Sequence, residues 1–127
     1  MGTKILIVDD DSDIRRGLNV RLQANGYEVL FAADAISALS VAAKERPDLI
    51  ILDIGLPAGD GYVVMERLQN YPALACIPVI VLSARDAANN KQRALEAGAY
   101  EFFQKPADMG RLLKSIRAAM DCRGAVR

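Results

Sequence analysis

Histidine and tryptophan are absent from this chain of 127 residues, and cysteine occurs only twice. Without histidine, the chain cannot form a Ser-His-Asp triad, a histidine-ligated metal site or a phosphohistidine carrier. Cys76 and Cys122 are isolated in the sequence, so neither a disulfide framework nor a zinc site is indicated. Because the chain has no histidine, any phosphohistidine in its chemistry must come from another protein.

Neither sign of charge dominates, and long apolar runs are missing. The 16 basic and 16 acidic residues cancel, so no overall field favours nucleic acid or an anionic membrane. No apolar stretch approaches the roughly 18 residues of a membrane span, and the N-terminus lacks a cleavable signal pattern. We expect a cytoplasmic protein that binds neither nucleic acid nor membrane directly. Its length fits one domain, 1–127, with a core at about 4–121 and a tail or linker start at 122–127.

Short apolar runs alternate with helical patterns five times along the chain. The predicted strands are 4–8, 28–32, 49–53, 78–82 and 100–104. The predicted helices are 12–25, 35–45, 62–70, 86–97 and 108–121. This alternation predicts right-handed βαβ units and a parallel sheet with helices on both faces. The first, third and fourth strands are the most apolar and should be central, which predicts a flavodoxin-like α/β fold of strand order 2-1-3-4-5.

The second predicted helix carries large apolar residues at helical spacing. Ile36, Leu39 and Ala43 recur within 35–45, so we expect these three side chains to face the core.

Three carboxylates should meet at one edge of this sheet. Asp9 and Asp10 end the first apolar run and Asp53 ends the third. Two carboxylates about 4 Å apart repel by roughly 4 kcal/mol at an effective dielectric constant near 20, so the cluster needs a cation or a proton. Oxygen ligands of this kind suit Mg²⁺. An acidic metal site beside a carboxylate nucleophile suggests phosphoryl transfer.

A hydroxyl and an ammonium follow the last two strands at the same edge. Ser83 comes after the fourth strand and Lys105 after the fifth. A phosphoryl group on Asp53 needs a cation and hydrogen-bond donors for its oxygens. Lys105 can supply the charge and Ser83 a donor, so all of these residues fit one site.

Polar residues near the predicted site also have ordinary structural explanations when each is considered alone. Asp11, Ser12 and Asp13 fit caps of the first helix better than an extended metal site. Asp60 fits a turn or cap. The joint placement of acids, hydroxyl and lysine is what favours a phosphorylation site.

Four motifs occur in order along nearly the whole chain. They are Val8-Asp9-Asp10, Leu52-Asp53-Ile54-Gly55-Leu56-Pro57 with Asp60-Gly61, Leu82-Ser83-Ala84, and Lys105-Pro106. With this order and spacing, the chain resembles the receiver domain of bacterial two-component response regulators. The resemblance covers about 4–121.

The resemblance implies a phosphoacceptor and a metal site. Asp53 would accept a phosphoryl group from the phosphohistidine of a sensor histidine kinase or a phosphotransfer protein. Asp10 would bind Mg²⁺ directly, and Asp9 mainly through water or by orienting its neighbour. The backbone carbonyl of Gly55 would supply a further metal ligand.

The resemblance also implies a switch. Ser83 and Lys105 would bind the phosphoryl oxygens, and the Lys105–Pro106 peptide bond would be cis. Phe102 matches the switch aromatic of the family, although it lacks the hydroxyl of the common tyrosine and fits a plain core residue equally well. Phosphorylation would alter the surface formed by the fourth predicted helix, the fifth strand and the fifth helix.

Partners and lifetime follow less directly from the resemblance. A downstream effector protein or output domain would respond to that surface, and a phosphorylation-dependent homodimer is an option that nothing in the sequence requires. Gly55 and Arg85 occupy positions thought to tune phosphoryl lifetime, but glycine admits water while arginine can shield, so no lifetime is predicted.

Two other functions compete with the phosphorylation switch. The first is a phosphorylation-independent interaction module, against which the complete acid, hydroxyl and lysine set argues. The second is an aspartyl phosphatase of the haloacid-dehalogenase type, but Gly55 stands where the second aspartate of its Asp-x-Asp pattern is needed. We therefore expect the chain to catalyse only the phosphorylation and dephosphorylation of its own aspartate. Arg111, Lys114 and Arg117 fit a solvated helix face better than a nucleic-acid contact.

Overall fold

The computed structural model describes residues 2–56 and 61–126, and side chains as far as 121. Its strands are β1 (Lys4–Val8), β2 (Glu28–Ala32), β3 (Leu49–Leu52), β4 (Val79–Ser83) and β5 (Glu101–Gln104). Its helices are α1 (Ser12–Ala24), α2 (Ala35–Glu45), α3 (Gly61–Asn70), α4 (Pro72–Ala75), α5 (Ala87–Glu96) and α6 (Met109–Val126). The five parallel strands form one sheet in the order β2-β1-β3-β4-β5, which confirms the predicted flavodoxin-like order.

Both faces of the sheet are covered by helices, because alternate residues of each strand point to opposite sides. Ile5 and Ile7 of β1 belong to the hydrophobic cluster formed with α1 and α6. Leu6 and Val8 belong to the cluster formed with α2, α3 and α5. All four side chains are at most 1% exposed, and burying one such side chain stabilises the fold by about 1.5–3 kcal/mol. Strands buried on both faces explain the continuous apolar runs in the sequence.

The strand register brings the polar strand ends together. Val8 pairs with Leu52, so Asp9 and Asp53 each follow the last residue pair of β1 and β3. The Asp53 amide donates to the Val8 carbonyl at 2.9 Å, which extends the ladder by one bond. At the other side, the Lys105 amide donates to the carbonyl that ends β4 at 2.8 Å. The carboxyl edge of the sheet therefore gathers the predicted site residues.

The core-facing side of α2 was predicted wrongly. Ile36 is 77% exposed and Ala43 is also exposed, whereas Leu39 is partly buried. The residues that face the sheet are Ala35, Ala38 and Ala42. Larger apolar side chains dominate the hydrophobic periodicity of this segment, but small side chains form the buried stripe of the helix.

Other differences concern element ends. Helix α4 was not predicted, because a four-residue helix that begins at Pro72 has no apolar periodicity to detect. Helix α6 continues to Val126, beyond the predicted end at residue 121. The predicted turn at Asp60 and the side chain of Cys122 lie outside the described residues. Among the described residues, no helix is long and apolar enough to cross a membrane.

Candidate functional site

An acidic cluster occupies the carboxyl edge of the sheet, beside the ends of β1 and β3. One carboxylate oxygen from each of Asp9, Asp10 and Asp53 lies within 4.8 Å of the others. Asp9 is 3% exposed and Asp53 is 8% exposed, whereas Asp10 is open to solvent. Buried carboxylates at this separation repel strongly unless a cation lies among them. The sequence prediction that these three residues come together agrees with this geometry.

Lys105 places its ammonium between the two buried carboxylates. Its Nζ atom lies 2.7 Å from Asp9 Oδ2 and 3.3 Å from Asp53 Oδ2. Burial alone would lower the pKa of Lys105, but its bonds to both carboxylates outweigh burial and raise the pKa. The side chain is therefore a permanent cation at this site.

Asp9 is not fully compensated by that lysine. Burial raises the pKa of Asp9, although the hydrogen bond from Lys105 acts in the opposite direction. Burial wins, so the ionised form of Asp9 is less favourable here than in water. A second cation at the cluster would restore the balance, and the hard oxygen donors present suit Mg²⁺.

The remaining oxygen of each buried carboxylate is held by its own loop. Asp9 Oδ1 accepts a hydrogen bond from the Asp11 amide at 2.9 Å. Asp53 Oδ1 accepts one from the Gly55 amide, also at 2.9 Å. Each carboxylate is thus oriented by a local turn on one side and by Lys105 on the other. Charge-assisted bonds of this kind are short and directional, so both side chains have fixed orientations.

The helix that follows Asp10 is capped as expected. Asp11 is the N-cap of α1, and its side chain accepts hydrogen bonds from the amides of Asp13 and Ile14. The capping role is therefore confirmed for the Asp11 carboxylate, which binds the start of α1, while the Asp11 amide binds Asp9.

Ser83 is completely buried at the end of β4, the strand next to β3. Its Oγ atom accepts a hydrogen bond from the Arg85 amide at 3.1 Å. A hydroxyl that accepts one bond still has its proton to donate. Ser83 can therefore act as a donor to a group bound at this edge while its own acceptor contact is kept.

Gly55 leaves space that the side chain of Arg85 borders. A Cβ atom on Gly55 would lie 3.4 Å from Asp53 Oδ1 and 3.6 Å from Arg85 Nε. The arginine therefore passes over Gly55 beside Asp53. The two residues that the sequence analysis associated with phosphoryl lifetime are neighbours in the structure.

Comparison with known proteins covers almost the whole chain. A family model described as the response regulator receiver domain matches residues 5–117. The chain belongs to this family. The KDP operon transcriptional regulatory protein KdpE of Escherichia coli is 43% identical over 118 residues, which are 93% of this chain and 51% of KdpE. The receiver domain described here thus spans about half the length of that relative.

Solved structures agree with the receiver fold. The chemotaxis response regulator CheY4 of Vibrio cholerae is 32% identical, with a TM-score of 0.86 over 94% of this chain and 99% of that one. A CheY-like receiver domain protein from Methanospirillum hungatei is 29% identical, with a TM-score of 0.92 over 100% of both chains. As a receiver domain, the chain is a signalling domain, and receiver domains bind Mg²⁺ at an acidic pocket such as this one.

Phe102 of the receiver domain lies in the core and not in the acidic site. It is 6% exposed and belongs to the same hydrophobic cluster as Ala94 and Ala99. A switch role for Phe102 stays a prediction. The Lys105–Pro106 peptide bond is cis.

Two residues touch the acidic site without having been singled out for it. A Cβ atom on Gly61 would lie 2.7 Å from the Asp53 carbonyl oxygen and 2.5 Å from Ile54 Cα, so α3 begins directly against the backbone of the site. Arg15 Nη1 donates to the Asp9 carbonyl oxygen at 2.6 Å. The sequence marked Gly61 only as part of a turn. It offered no signal for Arg15, because an arginine near a helix start is usually solvated.

Proposed function

We propose that this receiver domain is a phosphorylation-activated switch that accepts a phosphoryl group on Asp53. The observation that carries the proposal is the placement of Asp53 Oδ2 at 3.3 Å from Lys105 Nζ, beside Asp9 and Asp10. A carboxylate oxygen of Asp53 attacks the phosphorus of a phosphohistidine and the P–N bond breaks. The electron pair returns to the partner's imidazole, which then takes up a proton.

Asp9, Asp10, Asp53 and the carbonyl of Gly55 are the residues that would hold Mg²⁺. When bound, Mg²⁺ supplies positive charge that neutralises the oxygens of the transferring phosphoryl group. Asp10 is exposed and so is accessible to an entering ion.

Ser83 and Lys105 would bind the phosphoryl oxygens once Asp53 is modified. Lys105 supplies a charge and Ser83 a hydrogen bond at the end of the neighbouring strand. A shift from 1:99 to 99:1 between two conformations needs about 5.5 kcal/mol of differential stabilisation, which several charge-assisted bonds can supply together. Phe102 would respond through packing, since it has no hydroxyl.

The readout would lie on the face formed by α5, β5 and α6. This face carries a groove of about 710 Å³, whose charged lining residues are Lys91, Glu101, Asp108, Arg111 and Lys114. Its mixed charge fits contact with another protein surface better than contact with nucleic acid. An effector protein, an output domain or a second copy of the chain would bind there after phosphorylation.

The partner that supplies the phosphoryl group would be a sensor histidine kinase or a phosphotransfer protein, because the chain has no histidine of its own. Residues 1–127 would act as one receiver unit in the cytoplasm.

The decisive experiment is phosphorylation by acetyl phosphate in the presence of Mg²⁺, read by intact mass. Wild type should gain one phosphoryl group, and Asp53→Asn should gain none. Asp13→Asn is a matched control, because Asp13 is an exposed aspartate of α1 whose carboxylate pairs with Arg16. It should be labelled like wild type, and EDTA should abolish labelling in both.

Labelling of Asp53→Asn at the wild-type level would assign the chemistry to another residue. If wild type gives no adduct and titration with Mg²⁺ and beryllofluoride leaves its amide NMR spectrum unchanged, the chain would be a phosphorylation-independent interaction module.

A further inference from the structure

A guanidinium group lies against the backbone of the acidic cluster. Arg15 Nη1 donates to the carbonyl oxygen of Asp9 at 2.6 Å. That carbonyl belongs to the peptide group that joins Asp9 to Asp10. A charge-assisted hydrogen bond is roughly twice as strong as a neutral one, so this contact fixes the plane of the peptide group from which Asp10 extends.

Among the described residues, the other hydrogen bonds of this turn involve the Asp9 amide and carboxylate and not the Asp9 carbonyl oxygen. The Asp9 amide donates to the Ala32 carbonyl at 3.1 Å, which ties the turn to β2. The Asp9 side chain accepts from the Asp11 amide at 2.9 Å. These bonds fix the start of the turn and the Asp9 carboxylate. The orientation of the Asp10 backbone depends on the peptide group that Arg15 binds.

Arg15 itself has a fixed origin. Its amide donates to the Asp11 carbonyl at 3.1 Å, in the first turn of α1, and Asp11 caps that helix. The helix start, the acidic turn and the guanidinium therefore form one closed local unit. The next arginine, Arg16, differs, because its side chain is 74% exposed and lies 3.7 Å from Asp13.

We propose that Arg15 is a positioning residue for Mg²⁺, which holds the Asp9–Asp10 turn in the geometry that binds the ion. The inference rests on the proposed function, in which this cluster binds Mg²⁺. The expected change in Mg²⁺ affinity is opposite to the one that charge alone predicts. A cation near the site opposes a divalent cation by Coulomb repulsion, so electrostatics alone predicts that removing Arg15 tightens binding. A positioning role predicts that removing Arg15 weakens it.

Isothermal titration of the metal-free chain with MgCl₂ separates the two signs. Arg15→Met keeps much of the aliphatic stem and should weaken Mg²⁺ binding about tenfold, the usual loss when a residue that orients metal ligands is removed. Arg16→Met removes the same charge from the same helix without touching the turn. It should bind Mg²⁺ as well as wild type or slightly better. Arg15→Lys should recover most of the affinity, because an ammonium can also donate to a carbonyl.

Amide hydrogen exchange of the metal-free protein supplies a second readout. In Arg15→Met the amides of residues 10–12 should exchange faster, while the exchange rates in β3 and β4 should not change. A general loss of stability would not produce this pattern. Should Arg15→Met fail to fold, Arg15→Gln carries the same comparison.

Binding by Arg15→Met that equals or exceeds that of wild type would overturn the inference. A wild-type chain that binds no Mg²⁺ would instead reject the proposed function, and this is visible before any variant is compared.

Discussion

Lys105 Nζ lies 2.7 Å from Asp9 Oδ2, although the two residues are 96 positions apart in the sequence. The side chains are 15% and 4% exposed, so the pair is largely shielded from water. Lys105 also reaches Asp53, and it thereby supplies positive charge to the site before any phosphoryl group arrives. The same carboxylates are the expected ligands of Mg²⁺, so the ammonium and the metal compete for them.

Replacing Lys105 by methionine should therefore have two opposite effects. The metal-free protein should lose about 3 kcal/mol of unfolding free energy, near the low end for orphaning a buried charge, because a carboxyl group can take up a proton. Mg²⁺ should bind the variant more tightly, since the competing cation is gone. Urea denaturation in EDTA and in MgCl₂ measures both effects.

Lys4→Met is the matched control for that experiment. Lys4 Nζ also lies 3.3 Å from a carboxylate, that of Glu45, but both side chains are about a third exposed. This change should cost at most about 1 kcal/mol and leave Mg²⁺ binding alone. Equal losses in the two variants would contradict a special role for Lys105.

Gly61→Ala should disturb the phosphorylation site from outside it. The new Cβ atom would lie 2.5 Å from Ile54 Cα and 2.7 Å from the Asp53 carbonyl oxygen, and both of these are backbone atoms that cannot move aside alone. We expect a loss of about 1–3 kcal/mol in unfolding free energy and slower labelling by acetyl phosphate.

Gly17→Ala tests whether that loss is specific. Apart from its chain neighbours and the backbone of α1 itself, no atom of the described residues lies within 4 Å of a Cβ on Gly17, which sits inside α1. The same substitution there should stabilise the chain by about 0.5–1 kcal/mol. If Gly61→Ala also stabilises the chain, the close approach of α3 to Asp53 is not as described.

Tyr62 should tie α3 to α5. Its hydroxyl lies 3.2 Å from Asn90 Oδ1, and the Arg93 guanidinium stacks 3.7 Å from its ring centroid. Tyr62→Phe should cost about 1 kcal/mol and increase hydrogen exchange in α5, because the ring stays while the hydroxyl bond is lost. Tyr62→Leu should lose about 0.5–1 kcal/mol more unfolding free energy, because the cation–π contact with Arg93 is also lost.

The control for this prediction is Tyr71→Phe, at a tyrosine that is 58% exposed. It should change neither stability nor exchange in α5. An α5 exchange pattern that is the same in Tyr62→Phe and in wild type would show that α3 and α5 are held together by other contacts.

Acid stability should depend on Asp34, the N-cap of α2. Hydrogen bonds to its carboxylate, first of all from the Ser37 amide, lower its pKa below the ordinary value of 3.8. A carboxylate with a lowered pKa in the folded state stabilises the fold fully above pH 3.8, and this contribution disappears as the pH falls through the folded pKa. The stability difference between wild type and Asp34→Asn should therefore be constant near neutral pH and shrink in acid. Thermal unfolding from pH 7 to pH 2 measures it, and a pH-independent difference would contradict the assignment.

Much of the fold was predictable from local patterns. Strands buried on both faces must be continuously apolar, so the runs that became β1, β3 and β4 were recognisable, and polar residues at their ends fell on one edge. Asp9, Asp10, Asp53 and Lys105 were assembled from this rule alone. The buried face of α2 was not predictable, because its stripe of alanines has a weaker apolar signal than exposed Ile36.

The strand order and the set of acidic, hydroxyl and basic groups at one edge followed from the amino-acid sequence, since both depend on short-range patterns and on the handedness of βαβ units. Which atoms come into contact became clear only from the folded domain. The bonds from Lys105 to Asp9, from Arg15 to the Asp9 carbonyl and from Tyr62 to Asn90 depend on helix placement and side-chain rotamers. These follow from packing over the whole domain, which no local window of sequence contains.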